Sequence, residues 1–141
     1  GNIYVAKVAL GANTSQVVKA MMDAESYPGP SLVIAYSHCI AHGINMTTGY
    51  ANQKKAVACG HWPLYRFDPR LSDQGKNPLK LESKAPTLSF EEYAYGENRY
   101  RSLKQINPEL AAKLMKEATS DTAKRWKLME QLAALECDCD S

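Results

Sequence analysis

The sequence predicts an α/β fold, a mostly parallel sheet with flanking helices and a helical C-terminal extension, and three observations predict it. A β-branched and aromatic opening, NIYVAKVAL, is followed by a helix-patterned stretch and then by SLVIAYS, so strand, helix and strand come in succession. SLVIAYS is apolar on both alternations, as in a strand covered on both faces of a parallel sheet. The C-terminal part repeats apolar residues close to the helical period.

The elements follow in order. NIYVAKVAL reads as the first strand, with Ile3, Val5 and the stretch from Val8 to Leu10 as its buried positions. Asn13 or Thr14 caps a helix whose stripe is Val17, Val18, Met21 and Met22, and Pro28, Gly29 and Pro30 stop it. SLVIAYS is the second strand of a right-handed crossover, so both strands end on one edge of the sheet, and Cys39 lies just past that edge. Open α/β sheets bind ligands outside the carboxyl ends of their strands.

A helix then starts at about Thr47 or Thr48 with Ala56, Val57 and Cys59 inward, and PLYRFDP is a short third strand. Pro, Gly, Asn and Asp dominate the segment that follows, an extended surface excursion whose strand-like piece is LKLES. Ser89 and Glu92 have capping-box spacing and open a short helix that Gly96 weakens. Asn107 caps, with Pro108 at the first helical position, a run in which Leu110, Leu114, Met115, Ala118, Trp126, Met129 and Ala133 form the apolar face, and Ser120 and Asp121 are a break point. The expected organisation is an α/β core at 1–67, the excursion at 68–88, the helical extension at 89–135 and a disordered tail at 136–141, within one domain.

Composition narrows the function classes. With 141 residues, 45% hydrophobic, the chain can bury a sizeable core. Its net charge of +2 is dispersed, which gives no footprint for nucleic acid and no polybasic membrane anchor. No apolar run approaches the roughly 18 residues of a membrane span, and GNIYVAKVAL has neither a basic n-region nor a cleavage site. Cys39, Cys59, Cys137 and Cys139 do not make a secreted disulfide scaffold, so a reducing, cytoplasmic setting is expected.

Cys39, in SHCIAHG, has three readings. It can be a small buried hydrophobe at a strand end. It can be a nucleophile, for which His38 and His42 are close in sequence but no carboxylate or amide partner is evident to orient them. It can be a metal ligand, with His42 in a C-x-x-H pair and with Cys59 and His61 in a C-x-H pair completing a four-ligand zinc set. The C-x-C of Cys137 and Cys139 lies in a short acidic tail, LGANTSQ offers one capped helix start rather than a phosphate loop, and Glu91 with Glu92 suits an exposed helix start.

Five ordered stretches, YVAKVALGAN, YPGPSLVIAYSHCIAHG, AVACGHWPLYRFDPRL, GKNPLKLESKAP and NRYRSLKQINPELA, resemble the C-terminal end of pyruvate:ferredoxin (flavodoxin) oxidoreductases, and the likeness runs over residues 2–132. The resemblance implies the C-terminal half of a thiamine-diphosphate-binding fold. It also implies a parent enzyme that uses thiamine diphosphate, Mg²⁺ and [4Fe–4S] clusters to convert pyruvate to acetyl-CoA, with electrons passed to ferredoxin or flavodoxin. The residue matching one of four thiolate ligands of the cluster nearest the thiamine is Cys39, and His38 favours the single-chain type of enzyme.

The family's GDG…N thiamine motif and the other three ligand cysteines are absent from this sequence, and Cys59, Cys137 and Cys139 do not match ligand positions. The resemblance therefore implies a fragment that is catalytically silent by itself and binds no cofactor alone, whose partner is the remainder of the parent enzyme. Exposed strand edges and helix faces would make it self-associate. A stand-alone assembly module and a small zinc protein, through Cys39, His42, Cys59 and His61, are the alternatives.

Overall fold

A computed structural model describes residues 2–136, and the acidic tail with Cys137 and Cys139 lies outside the described residues. Tyr4–Val8 (β1) pairs in parallel with Ser31–Ala35 (β2) and antiparallel with Tyr65–Phe67 (β3), and β3 pairs antiparallel with Leu79–Leu81 (β4). The sheet order is β2-β1-β3-β4, so the α/β class holds while the sheet is mixed rather than mostly parallel. Residues 68–78 are too few for a parallel crossover, which needs about a dozen or more. They instead turn through a 3₁₀ segment, Pro69–Gln74, and return beside β3.

Thr14–Ser26 (α1) covers one face of the β1–β2 pair and starts at Asn13, whose side chain accepts from the Gln16 N–H. Tyr4, Ala6 and Val8 point to α1 and form a core with Ala20, with Val17, Ala24, Tyr27 and Val33 packed around it. Of the positions expected to be buried, Val8 and Ala9 are, whereas Ile3 and Leu10 are exposed and Val5 faces the other side. Lys7 interrupts the alternation of Ile3 and Val5, so the continuous apolar face of β1 is that of Tyr4, Ala6 and Val8. The expected stripe of α1 holds at Val17, which packs on that core, but Gln16 and Ala20 complete it while Val18, Met21 and Met22 are exposed.

On the opposite face lie Gly49–Ala58 (α2), Phe90–Ala94 (α3), Asn98–Ile106 (α4) and Pro108–Ala133 (α5). Ala56, Cys59, Phe90, Tyr93 and Ala94 form the second core, with Tyr36, Trp62 and Met115 against it. The Ser89–Glu92 capping box is present at α3. Asn107 caps α5 by accepting from the Leu110 N–H, and Pro108 opens it. Ser120 and Asp121 do not break α5, because residues 109–133 contain neither Gly nor Pro and the Ser and Asp side chains face solvent. The far end of α5 lies over the sheet, where Val5, Phe67 and Leu79 face Met129 and Leu132 across an apolar groove of about 770 Å³.

Candidate functional site: the carboxyl end of the parallel pair

The parallel register Tyr4↔Ser31 to Val8↔Ala35 brings both strands out at one edge. One more rung, Tyr36 N–H to the Val8 carbonyl at 3.0 Å, carries β2 to the loop. Cys39 is in extended backbone (φ −137°, ψ 137°) and begins a single 3₁₀ turn, Ile40–His42. Gly43 closes the turn in the left-handed region (φ 67°), donating to the Ile40 carbonyl at 2.9 Å, and a Cβ there would also collide with Asn98. This loop leaves the Cys39 thiol half-buried.

The first bland expectation, a buried hydrophobe, describes Cys59 instead. Cys59 is 3% exposed, its thiol donates to the Ala56 carbonyl at 3.4 Å, and burial pushes its pKa up. His61 stacks on Tyr93 with ring centres 5.2 Å apart, and its Nδ1 is buried without a partner. Burial, then Arg125, Arg99 and Lys7, push its pKa down to about 4. Cys59 and His61 are therefore packed into the helical core, and the side chain of His42 lies outside what the structure describes. Among the described residues no group of three His, Cys, Asp or Glu side chains is placed to hold a metal ion, so the zinc set is not assembled.

Two buried amides on α2 organise the ground beneath the loop. Gln53, 4% exposed, accepts from the Gly11 N–H at 2.8 Å and contacts His38 Nδ1 at 3.0 Å and the Tyr36 carbonyl at 3.5 Å. The His38 ring lies against the backbone of Gly49, where a Cβ would overlap it, and edge-on to Tyr50 at 6.4 Å. The partner of His38 is thus an amide rather than the neighbouring thiol, so His38 does not form a Cys–His nucleophile pair with Cys39.

Asn52 leads to a second polar cluster around Glu97, which is 1% exposed. The Glu97 carboxylate accepts from Tyr93 Oη at 2.9 Å and Arg99 Nε at 2.5 Å, and more distantly from Tyr36 Oη and Asn52 Nδ2, both at 3.5 Å. Tyr36 and Tyr93 hydroxyls are 2.7 Å apart, and burial raises the pKa of both. The cluster joins β2's exit to α2, α3 and the start of α4, so a connected polar layer lies beneath the loop. Sequence reasoning put Ala56, Val57 and Cys59 on the inner face of this helix; one turn back along that stripe are Asn52 and Gln53, and polar residues on an inward stripe are the signal that marks them.

No family model matches the chain. It is 55% identical over 136 residues to the pyruvate-flavodoxin oxidoreductase of Trichormus variabilis, covering 96% of this chain and 11% of that protein. It is 51% identical over 133 residues to the pyruvate:ferredoxin oxidoreductase of Moorella thermoacetica, and 47% identical over 133 residues to a probable pyruvate-flavodoxin oxidoreductase of Escherichia coli, each time covering 94% of this chain and 11% of the relative. The chain is homologous to one segment of the pyruvate-flavodoxin and pyruvate:ferredoxin oxidoreductases.

These oxidoreductases are far longer than the 141 residues here, and the chain spans 11% of their length. Among the described residues no helix is long and apolar enough to cross a membrane. Relative to the oxidoreductase segment, the site built here is one accessible thiol on a braced loop, at the edge of the sheet where the parallel strands end.

Proposed function

We propose that this chain is the C-terminal part of the thiamine-diphosphate-binding domain of a pyruvate:ferredoxin (flavodoxin) oxidoreductase. In that enzyme Cys39 is one of four thiolate ligands of the [4Fe–4S] cluster nearest the thiamine. The observation that carries the reading is the half-exposed Cys39 thiol held at the carboxyl end of the β1–β2 pair, in a chain matching a segment of such enzymes. The donor chemistry fits as a quarter of a set: a soft thiolate is the right ligand, and the other three are supplied from outside the described residues. When bound, the cluster supplies one-electron transfer.

What this chain's residues do toward it is positional. β2 and the Gly43 turn deliver the thiol, and Gln53 and His38 hold the backbone behind it. Thiamine diphosphate and Mg²⁺ belong to the rest of the parent enzyme, and ferredoxin or flavodoxin meets the parent rather than this segment. The remainder of that enzyme is the main partner, the setting is cytoplasmic, and the separated chain is catalytically silent.

The test uses the native-length polypeptide that carries this sequence. Cys39→Ser is expected to remove the iron and the low-temperature EPR signal of one cluster, and the 141-residue chain alone is expected not to reduce a viologen with pyruvate and CoA. Unchanged iron and EPR in Cys39→Ser would remove the ligand role; pyruvate oxidation by the short chain would remove the fragment reading.

A further inference from the structure

We propose that Gln53 is the positioning residue of the Cys39 loop, a buried amide that fixes the His38 ring in one tautomer and thereby sets the backbone from which the Cys39 thiol projects. The orientation of the amide follows from its neighbours. A backbone N–H can only donate and a backbone carbonyl can only accept, so the contact with Gly11 N at 2.8 Å takes the amide oxygen and the contact with the Tyr36 carbonyl at 3.5 Å takes the amide nitrogen. The same nitrogen lies 3.0 Å from His38 Nδ1 and must donate to it. His38 therefore accepts at Nδ1 and carries its proton on Nε2.

This arrangement ties three things with one side chain. Gly11 belongs to the loop after β1, Tyr36 directly follows β2, and His38 precedes Cys39. Gly49 lets α2 close on the ring, since any Cβ there would overlap it, and a Cβ at Gly11 would come within 2.7 Å of the Tyr50 backbone. The two exit loops of the parallel pair are thus clamped to the first turns of α2. Cys39 is bonded to the clamped His38, so its thiol takes its direction from the ring that Gln53 holds. Gln53 is 4% exposed and uses both ends of its amide, which is costly to arrange in a protein interior unless each group is satisfied.

The geometry of the clamp stands by itself; its bearing on a cluster rests on the reading of Cys39 as a ligand. Two measurements on the full 141-residue chain test the clamp without any cluster. In the first, ¹⁵N shifts of the ring nitrogens, assigned with His38→Gln, report which nitrogen carries the proton. In the second, iodoacetamide labelling followed by peptide mapping gives separate rates for Cys39 and for the buried Cys59. The variants are Gln53→Ala, which removes the amide, and Gln53→Glu, which keeps an acceptor for Gly11 but removes the donor to His38.

Expected are an Nε2–H ring in the wild type, loss of that single tautomer in Gln53→Glu, and five- to tenfold faster labelling of Cys39 in both variants with Cys59 still slow. A wild-type ring protonated on Nδ1, an unchanged Cys39 rate in both variants, or equal acceleration of Cys39 and Cys59 in both overturns the proposal. None of these outcomes depends on iron, so failure of the clamp and failure of the ligand reading, which Cys39→Ser decides, are told apart.

Discussion

The two edges of the sheet are built to different standards. At the β4 edge the strand is short, Lys80 points to solvent and Leu79 and Leu81 are half-buried. Asn77 beside it accepts from the Leu79 N–H and donates to the carbonyls of Leu132 and Leu135, fastening the end of α5 to the sheet. Beneath, Arg66 of β3 is 7% exposed and bonds Glu82 at 2.6 Å and Asp23 of α1. At the β2 edge, by contrast, the outer side of the strand has no partner among the described residues, Leu32 and Ile34 are exposed on the face away from α1, and Val18, Met21 and Met22 of α1 are exposed as well. An edge closed by caps, charge and a helix resists pairing with another chain, whereas an open apolar one invites it.

The comparison breaks most sharply at Arg66. Burial would raise the Glu82 pKa, yet its bonds with Arg66 hold it below the usual carboxylate range, so Arg66→Ala leaves a buried, uncompensated carboxylate. The expected loss is about 3 to 5 kcal/mol in urea unfolding. A midpoint unchanged from wild type would show that the β4 edge does not depend on this pair.

Asn77→Ala releases the end of α5 and should cost about 1 kcal/mol, with amide exchange accelerating in β4 and the last turn of α5 but not in β2. Exchange that rose equally across the sheet would contradict a local fastening.

Acid sharpens the comparison further. Hydrogen bonds from Arg70 hold the Asp68 carboxyl below its ordinary range. A depressed folded pKa means that the stabilisation is complete above the unfolded value of 3.8 and is lost as pH falls through the lower folded value. Because the pair is partly solvated, less than about 1 kcal/mol is involved. Asp68→Asn should flatten stability below pH 4 by that amount, and an identical acid limb in wild type and variant would count against it.

The smallest effect on stability, and the most telling on association, is expected at the open edge. Leu32→Lys with Ile34→Lys should change the unfolding free energy by less than about 0.5 kcal/mol per site while removing self-association in sedimentation. A wild-type chain that sediments as a monomer at high concentration would remove the basis for that edge being adhesive.

These edges also explain what the sequence could and could not disclose. The strand, helix, strand order in the sequence puts Cys39 at the carboxyl end of β2, because turn residues and alternation are local signals. The Asn13, Ser89 and Asn107 caps were legible for the same reason. The α1 stripe was not: Val18, Met21 and Met22 are apolar yet exposed among the described residues, and a hydrophobic pattern does not say which of its members a core will take. Gln53 is marked only by its place one turn back from Val57 on the inward stripe of α2, and Glu97, ahead of α4, looks like a solvent-facing carboxylate until tertiary contacts bury it. The sheet's mixed character begins where β3 pairs antiparallel with β1, a long-range pairing that no local pattern encodes, and the short 68–78 connection adds β4 antiparallel to β3.

The fastening of Asn77 to Leu132 and Leu135 has a consequence for the order of assembly. β1, α1 and β2 are neighbours in the chain and can form early, but β4 is capped only by residues more than fifty positions downstream. A polypeptide made from its N-terminus therefore passes through a stage in which both margins of the sheet are bare, and α5 must emerge before one of them closes. During that interval the nascent chain is most open to mispairing, and a chaperone or an already folded upstream neighbour would have its greatest effect then.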